Sequence, residues 1–550
     1  MIDPEAMPTA TARCNSQKGR LGPDFVRLGG SGPCPKTSGL RCARNTRPHS
    51  FRYPPFPAAS NMKTSAKAEK TFFHRLKSAF VNPARCPERS LAQSFQLKNE
   101  CAKILIENCS KGVSLDSCGK TLSLVREQFI GEARGGDGAA FLLLDPKYFK
   151  TRINGFIRIS AGDHLIVGAE DEQQRTMLDL SASAPSRLFS IAHEGDALVF
   201  KDLTTPPGTT LAPMDKDKLH ITERRSASLR EIFRIFGGPI KLLPPDQALE
   251  DLNKVNELLE REPSRPRDVN GRPGGVVSLP KKIIPIIIGD LHAQVDNLLT
   301  LLTQNHFLEV MSEGKATMVI LGDAVHSEID GCMEEMETSL LMMDLILRLK
   351  LWFPQQLFYV RGNHDSFSEE IGKSGVPQGL LWAEALRDAR GDAYKEAMDR
   401  FYELLPFVVL SNTYAACHAA PPRGKVDMDM LINIHKYPSL IKEITSNRLS
   451  RPHRPAGCTK GDVKRFRNSL NLRGKAELFV GHTPLTRHDT LWSNVGGIKH
   501  HDVVFSGNVP WIGVYTSTKG EMIPLRYRAE SLLPVINGMN DVELYDELEQ

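Results

Sequence analysis

The stretch Ile283-Ile284-Pro285-Ile286-Ile287-Ile288-Gly289-Asp290-Leu291-His292 decides the fold. A β-branched apolar run that ends in Gly-Asp-x-His reads as a buried parallel strand. Such a strand delivers a carboxylate and an imidazole to the mouth of an α/β sheet, where these sheets place their ligands. The same grammar returns in Thr317-Met318-Val319-Ile320-Leu321-Gly322-Asp323 and in Leu357-Phe358-Tyr359-Val360-Arg361-Gly362-Asn363-His364-Asp365. Alone, an Asp or Asn after a strand most often caps the next helix. Three strands that each end in Gly and a metal-type ligand, followed in order by Cys417-His418-Ala419 and Val480-Gly481-His482-Thr483, point instead to a metal site.

The 550 residues exceed one ordinary domain and predict two or three, with a large buried core. A net charge of +5 without a long basic stripe gives no footprint for nucleic acid. The ten cysteines are irregularly spaced and form no CxxC pair, which argues against a zinc ribbon or a disulfide framework and for a reducing compartment. No stretch is apolar for long enough to span a bilayer, the strand at Ile283 being stopped by Gly289-Asp290. A cytoplasmic protein is expected.

Residues 1–61 are rich in Pro, Arg, Ser and Gly and lack a hydrophobic period, so a disordered leader is expected, a feature that would also suit delivery into a host cell. Apolar spacing predicts a helical region over 62–131, notably Glu100 to Cys109. From Phe141 to about 225, short β-type runs separated by Gly, Asp and Pro suggest a small all-β sandwich. Helices and then a Pro- and Gly-rich linker follow over 226–276. The catalytic domain is expected over 280–530, ahead of an acidic tail at 531–550.

The β-rich stretch, with Ile166-Val167-Gly168, Ser186-Arg187, His193 and Asp202 to Thr209, resembles the forkhead-associated (FHA) domain, which reads phosphothreonine. The resemblance implies a docking module for a protein partner. In that family an Arg follows the first Gly, where this chain has Ala169, so phosphate reading is not expected.

The five ordered blocks from Asp290 to His482 resemble the calcineurin-like metallophosphoesterases, on the side of the phosphoprotein phosphatases. The resemblance implies an α/β fold, a β-sandwich flanked by helices, holding two divalent metal ions. Mixed oxygen and imidazole ligands suit Mn, Fe or Zn. Asp323 would bridge the ions, Asp290 and His292 would complete the first shell, and Asn363, His418 and His482 the second. His364 would be the general acid. Family members orient that acid with an Asp and clamp phosphate with the Arg after it, and here those places hold His326 and Ser327. His326 and Asp365 join His364 as candidate catalytic residues, and Arg361, Arg423 and Arg451 are candidate phosphate contacts. The implied reaction is hydrolysis of phosphomonoesters on Ser, Thr or Tyr of a phosphoprotein, by a hydroxide bridging the metals. Alternatives are a diadenosine tetraphosphate-type hydrolase and a pseudophosphatase that holds a phosphorylated partner.

Overall fold

A computed structural model describes residues 86–539, except 99, 136–137, 148–151, 215–218, 453–454 and 487–488. The expected disordered leader, the first part of the expected helical region and the end of the acidic tail lie outside the described residues.

The strand Ile284–Ile288 pairs in parallel with Ala316–Ile320, which pairs in parallel with Leu357–Tyr359. Trp511–Thr518 and Glu521–Arg528 complete this five-stranded sheet on the other side, both antiparallel. A second, six-stranded sheet runs Val276–Ser278, Val408–Leu410, Tyr414–Cys417, Glu477–Val480, His501–Val504 and Leu491–Trp492. Residue alternation decides the layering. Ile287, Val319 and Phe358 point inward and meet Val409, Ala416 and Phe479 of the other sheet in one buried cluster. Ile286, Ile288, Met318 and Ile320 point outward under the helices Val295–Leu302 and Glu337–Trp352. Cys417, Leu478 and Val480 point outward beneath Pro438–Ser446 and Lys460–Ser469. Strands buried on both faces must be apolar throughout, which is why the Ile283 run shows no alternation. The expected α/β fold, two sheets face to face between helices, is therefore present.

Upstream, a six-stranded antiparallel sheet (Phe95–Gln96, Thr210–Pro213, Val113–Ser117, Lys120–Arg126, Phe141–Leu144, Phe156–Ile159) faces a four-stranded one (Cys101–Leu105, Ala197–Asp202, Phe189–Glu194, His164–Val167). Leu115, Leu124 and Phe141 of the first share a core with Ile104, Ile191 and Phe200 of the second. The described part of 62–131 is thus mainly strand, with one 3₁₀ turn at Ile106–Cys109 and no α-helix among the described residues. Ala102 and Ile104 are buried while their neighbours Cys101, Lys103 and Leu105 are only half-buried, a period of two that the cross-sheet contact enforces and the helix-like count concealed. Cys86 and Cys101 form a disulfide, which a reducing compartment would not favour. The bond holds residues 86–89 along the strand at Cys101, where Arg89 donates to Lys103 O at 2.9 Å and Lys103 to Pro87 O at 3.0 Å.

Two further expectations change. The Pro- and Gly-rich stretch after Glu260 is no free linker: Arg265 is buried and donates to the Gly274 carbonyl at 2.6 and 2.9 Å, and Glu262 takes Lys350 at 2.7 Å. The acidic tail begins later than 531, since Leu533–Asn537 is a helix with Ile536 fully buried. The helix Ile221–Phe236 and the upstream sandwich meet the two-sheet domain at a buried ion pair, Arg225 to Glu530 at 2.5 Å. The second oxygen of Glu530 accepts from the amides of Ile130 and Gly131.

Candidate metal centre and active site

Parallel pairing brings the five blocks to one edge. Ile288, Ile320 and Tyr359 are partners across the first sheet, and Cys417, Val480 and Val503 across the second, so the residues that follow each strand emerge side by side. Glycines let the backbones close in. A Cβ on Gly481 would stand 2.1 Å from an Asp290 carboxylate oxygen, and one on Gly362 would stand 2.2 Å from Asp323 Oδ1. His292, Asp323, His326 and His482 all adopt positive φ, between 44° and 68°. Such backbone costs about 1 kcal/mol or more per residue and persists where surrounding packing over-determines it, characteristically at functional sites. Ala293 also sits at φ 59°, a backbone region that favours glycine.

Two groups of ligand atoms lie within 4.8 Å of one another: Asp290, His292 and Asp323, and Asp323, His418 and His482. Asp323 belongs to both. Each imidazole is fixed through its other nitrogen, as metal-binding histidines commonly are. His292 Nδ1 donates to the His326 carbonyl at 3.1 Å, His418 Nδ1 to Leu321 O at 2.6 Å, and His482 Nε2 to Ser446 O at 3.2 Å. The nitrogens left over are acceptors. His418 Nε2 then faces Asn363 Oδ1 at 3.1 Å, His482 Nδ1 at 3.2 Å and Asp323 Oδ2 at 3.3 Å. With the rings neutral, these four atoms converge as acceptors, an arrangement that draws positive charge, either a metal ion or a second proton on His418. The donor set fits two divalent ions, with Asp323 between them.

Electrostatics agree. Burial works to lower the His418 pKa, but the carboxylates of Asp323 and Asp290 outweigh it and push it up to about 9. Burial likewise opposes ionisation of Asp323, yet His418 and His364 hold it well below the usual carboxylate range. Burial pushes Asp290 up to about 7, so positive charge is what keeps both carboxylates ionised together.

His364 hangs from the same carboxylate, its amide donating to Asp323 Oδ1 at 2.8 Å. Its ring Nδ1 meets His326 Nδ1 at 2.9 Å, and the His326 ring stands edge-on to Trp382. Burial pushes His364 down to about 4 and His326 well below the imidazole range, the neighbouring His364 adding to the effect on His326. His326 thus meets His364 ring to ring in hydrogen-bond contact.

Other candidates are placed differently. The Asp365 carboxylate turns inward, accepting from Gly362 N at 2.7 Å, Asp323 N at 3.3 Å and the Tyr359 hydroxyl at 2.6 Å, so it shapes the loop and does not face substrate. Burial works to lower the Arg361 pKa, against the charges of Asp365, Tyr402, Glu403 and Asp399. Arg423 is taken by Glu443 at 2.6 and 2.8 Å. Arg451, with Arg448, lines a cavity of about 190 Å³ that includes Gly481 and Thr483, beside His482. Burial pushes the Cys417 thiol up to about 12, which leaves it inert. His501 is fully buried in its strand.

Sequence reasoning missed Tyr359, whose hydroxyl both donates to Asp365 and accepts from Ala324 N at 3.1 Å. It also missed Glu328 and Lys373. Glu328 Oε1 lies 3.7 Å from His292 Nε2 and 2.6 Å from Lys373 Nζ. Glu328 closes the Gly322 block, and the turn-forming Ser374-Gly375 marks the loop that carries Lys373, but nothing in the sequence joins them.

The model of the calcineurin-like phosphoesterase family matches residues 286–509. Similar solved structures include a protein serine/threonine phosphatase from Saccharomyces cerevisiae, 17% identical over 52% of this chain and 90% of that one, with a TM-score of 0.39. They also include the cold-active protein-tyrosine phosphatase of a psychrophilic Shewanella species, 12% identical over 72% of this chain and 97% of that one, with a TM-score of 0.32. No curated protein sequence matches the chain.

Proposed function

We propose that the calcineurin-like phosphoesterase domain this chain carries over residues 286–509 is a two-metal phosphomonoesterase acting on phosphorylated Ser, Thr or Tyr of proteins. The observation that carries the reading is the pair of ligand groups sharing Asp323. Asp290, His292 and Asp323 would hold one ion, and Asp323, Asn363, His418 and His482 the other. When bound, two such ions act as Lewis acids, neutralising phosphate charge and lowering the pKa of water toward neutrality.

The chain's own residues supply the rest. Burial keeps the His326 and His364 rings neutral, so one Nδ1 in their contact donates and the other accepts. With His326 as donor, the His364 proton sits on Nε2, where it can donate a hydrogen bond to the departing oxygen as charge develops there. The amide bond from His364 to Asp323 Oδ1 fixes that ring relative to the ligand set. Arg451 contributes positive charge at the cavity beside His482. A phosphoprotein substrate is favoured by the Arg361-Gly362-Asn363-His364 block, which resembles the phosphoprotein phosphatases.

The test is hydrolysis of para-nitrophenyl phosphate by the purified chain with Mn²⁺, beside Asp323→Asn and His364→Asn. Metal-dependent turnover that collapses in both variants supports the reading, and no turnover by a chain that binds two metals favours a phosphate-holding pseudophosphatase. Comparing phosphopeptides with diadenosine tetraphosphate then separates the protein-phosphatase and nucleotide-hydrolase readings.

A further inference from the structure

Ser327 stands where the resemblance would put a phosphate-clamping Arg, so the His292 side of the site has no guanidinium at that position. The structure offers a cation from another loop. Lys373 Nζ and His292 Nε2 contact the same atom, Glu328 Oε1, at 2.6 and 3.7 Å, so they lie at most 6.3 Å apart, those two distances end to end. An ion held by His292 sits roughly 2 Å from Nε2, and a phosphate oxygen on that ion lies about 2 Å farther on. An oxygen that extends from the ion toward Glu328 can therefore come within hydrogen-bond reach of the Lys373 ammonium.

Lys373 is also held in place. It opens a tight turn in which its amide and carbonyl bond to Val376 at 3.2 and 2.9 Å. Ser374 and Gly375, the two central residues, have φ of 53° and 87°, the pattern of a type I′ turn. Gln378, just beyond the turn, is fully buried and donates to the Ser327 carbonyl at 2.9 Å and to Met333 O at 3.2 Å. The loop that carries Ser327 and the loop that carries Lys373 are thereby pinned together.

Resting on the two-metal reading, we propose that Lys373 is the cation that binds the substrate phosphate on the His292 side, with Glu328 as the residue that positions it. An ammonium has three protons, so Nζ can keep its bond to Glu328 and still donate to a phosphate oxygen. As a point charge it would hold phosphate without the planar, bidentate match of a guanidinium. It would thus tolerate several orientations of the ester oxygen, which suits a site open to more than one phosphoamino acid.

The experiment is titration of inorganic phosphate by calorimetry into the full chain loaded with Mn²⁺ and freed of excess metal. Wild type, Lys373→Met and Lys373→Arg are compared, with metal content and melting temperature measured on each. The expected result is roughly tenfold or greater weakening in Lys373→Met, with wild-type metal content and melting temperature and with substantial recovery in Lys373→Arg. Phosphate binding by Lys373→Met equal to wild type overturns the assignment while leaving the two-metal reading intact. Loss of a metal ion in Lys373→Met also overturns it, because the Lys373–Glu328 pair would then be supporting the ligands. A wild-type chain that takes up no metal fails at the earlier step and overturns the reading on which the proposal rests.

Discussion

Replacing His326 with Leu should slow the chemistry without emptying the metal site. The side chain removed is fully buried, contacts His364 through a 2.9 Å Nδ1 to Nδ1 hydrogen bond and stands edge-on to Trp382. Leu is of similar size, so the dominant loss is the hydrogen bond. An unpartnered buried nitrogen costs about 1–3 kcal/mol, and a ring no longer held on its acid tautomer loses catalysis of that order, about 10- to 100-fold in kcat. The assay compares para-nitrophenyl phosphate, whose leaving group barely needs a proton, with a phosphorylated serine peptide, whose alkoxide does. His326→Leu should lower turnover of the peptide by more than it lowers turnover of the aryl ester, and His326→Asn, which keeps a hydrogen-bonding group, should recover part of the difference. Equal losses on both substrates, or loss of bound metal, would refute the reasoning.

Other consequences follow from single contacts. Arg451→Ala should raise KM roughly tenfold, as expected for a lost charge-assisted contact, whereas Arg423→Ala, whose guanidinium is taken by Glu443, should leave KM unchanged in the same steady-state assay. Burial pushes His501 down to about 4 from 6.5, so the unfolded state binds the extra proton and stability should fall as pH drops from about 6.5 to about 4, by up to about 3 kcal/mol. Neither ring nitrogen of His501 has a hydrogen-bond partner, so His501→Phe should remove that acid loss at little cost near neutrality, read from melting temperature against pH. Arg225→Leu leaves Glu530 buried with only two amides and should destabilise the contact between sandwich and catalytic domain by about 3–5 kcal/mol, seen as an earlier first transition in urea.

The site was more legible in the sequence than the domain that precedes it. Asp290, Asp323, Asn363, His418 and His482 each follow an apolar strand, and strand pairing alone carries them to one edge, so local pattern and global position coincide. Ala102 and Ile104 misled because a five-residue strand beside a short 3₁₀ turn, Ile106–Cys109, mimics helical spacing, and only the facing sheet settles the period. Arg265 looked like part of a linker because Pro and Gly surround it, but its partners are backbone carbonyls of Gly274 and of Leu404, the latter 139 residues away, which no local window contains. The Lys373–Glu328 contact was hidden for the same reason, being made by two loops that only the fold brings together.

The most direct test of the central claim is the electron paramagnetic resonance spectrum of the Mn²⁺-loaded chain, because a carboxylate shared by two ions couples their spins. The account predicts an exchange-coupled signal from wild type that is lost in Asp323→Asn. A spectrum of isolated ions in the wild-type chain would contradict a site in which Asp323 joins two metals.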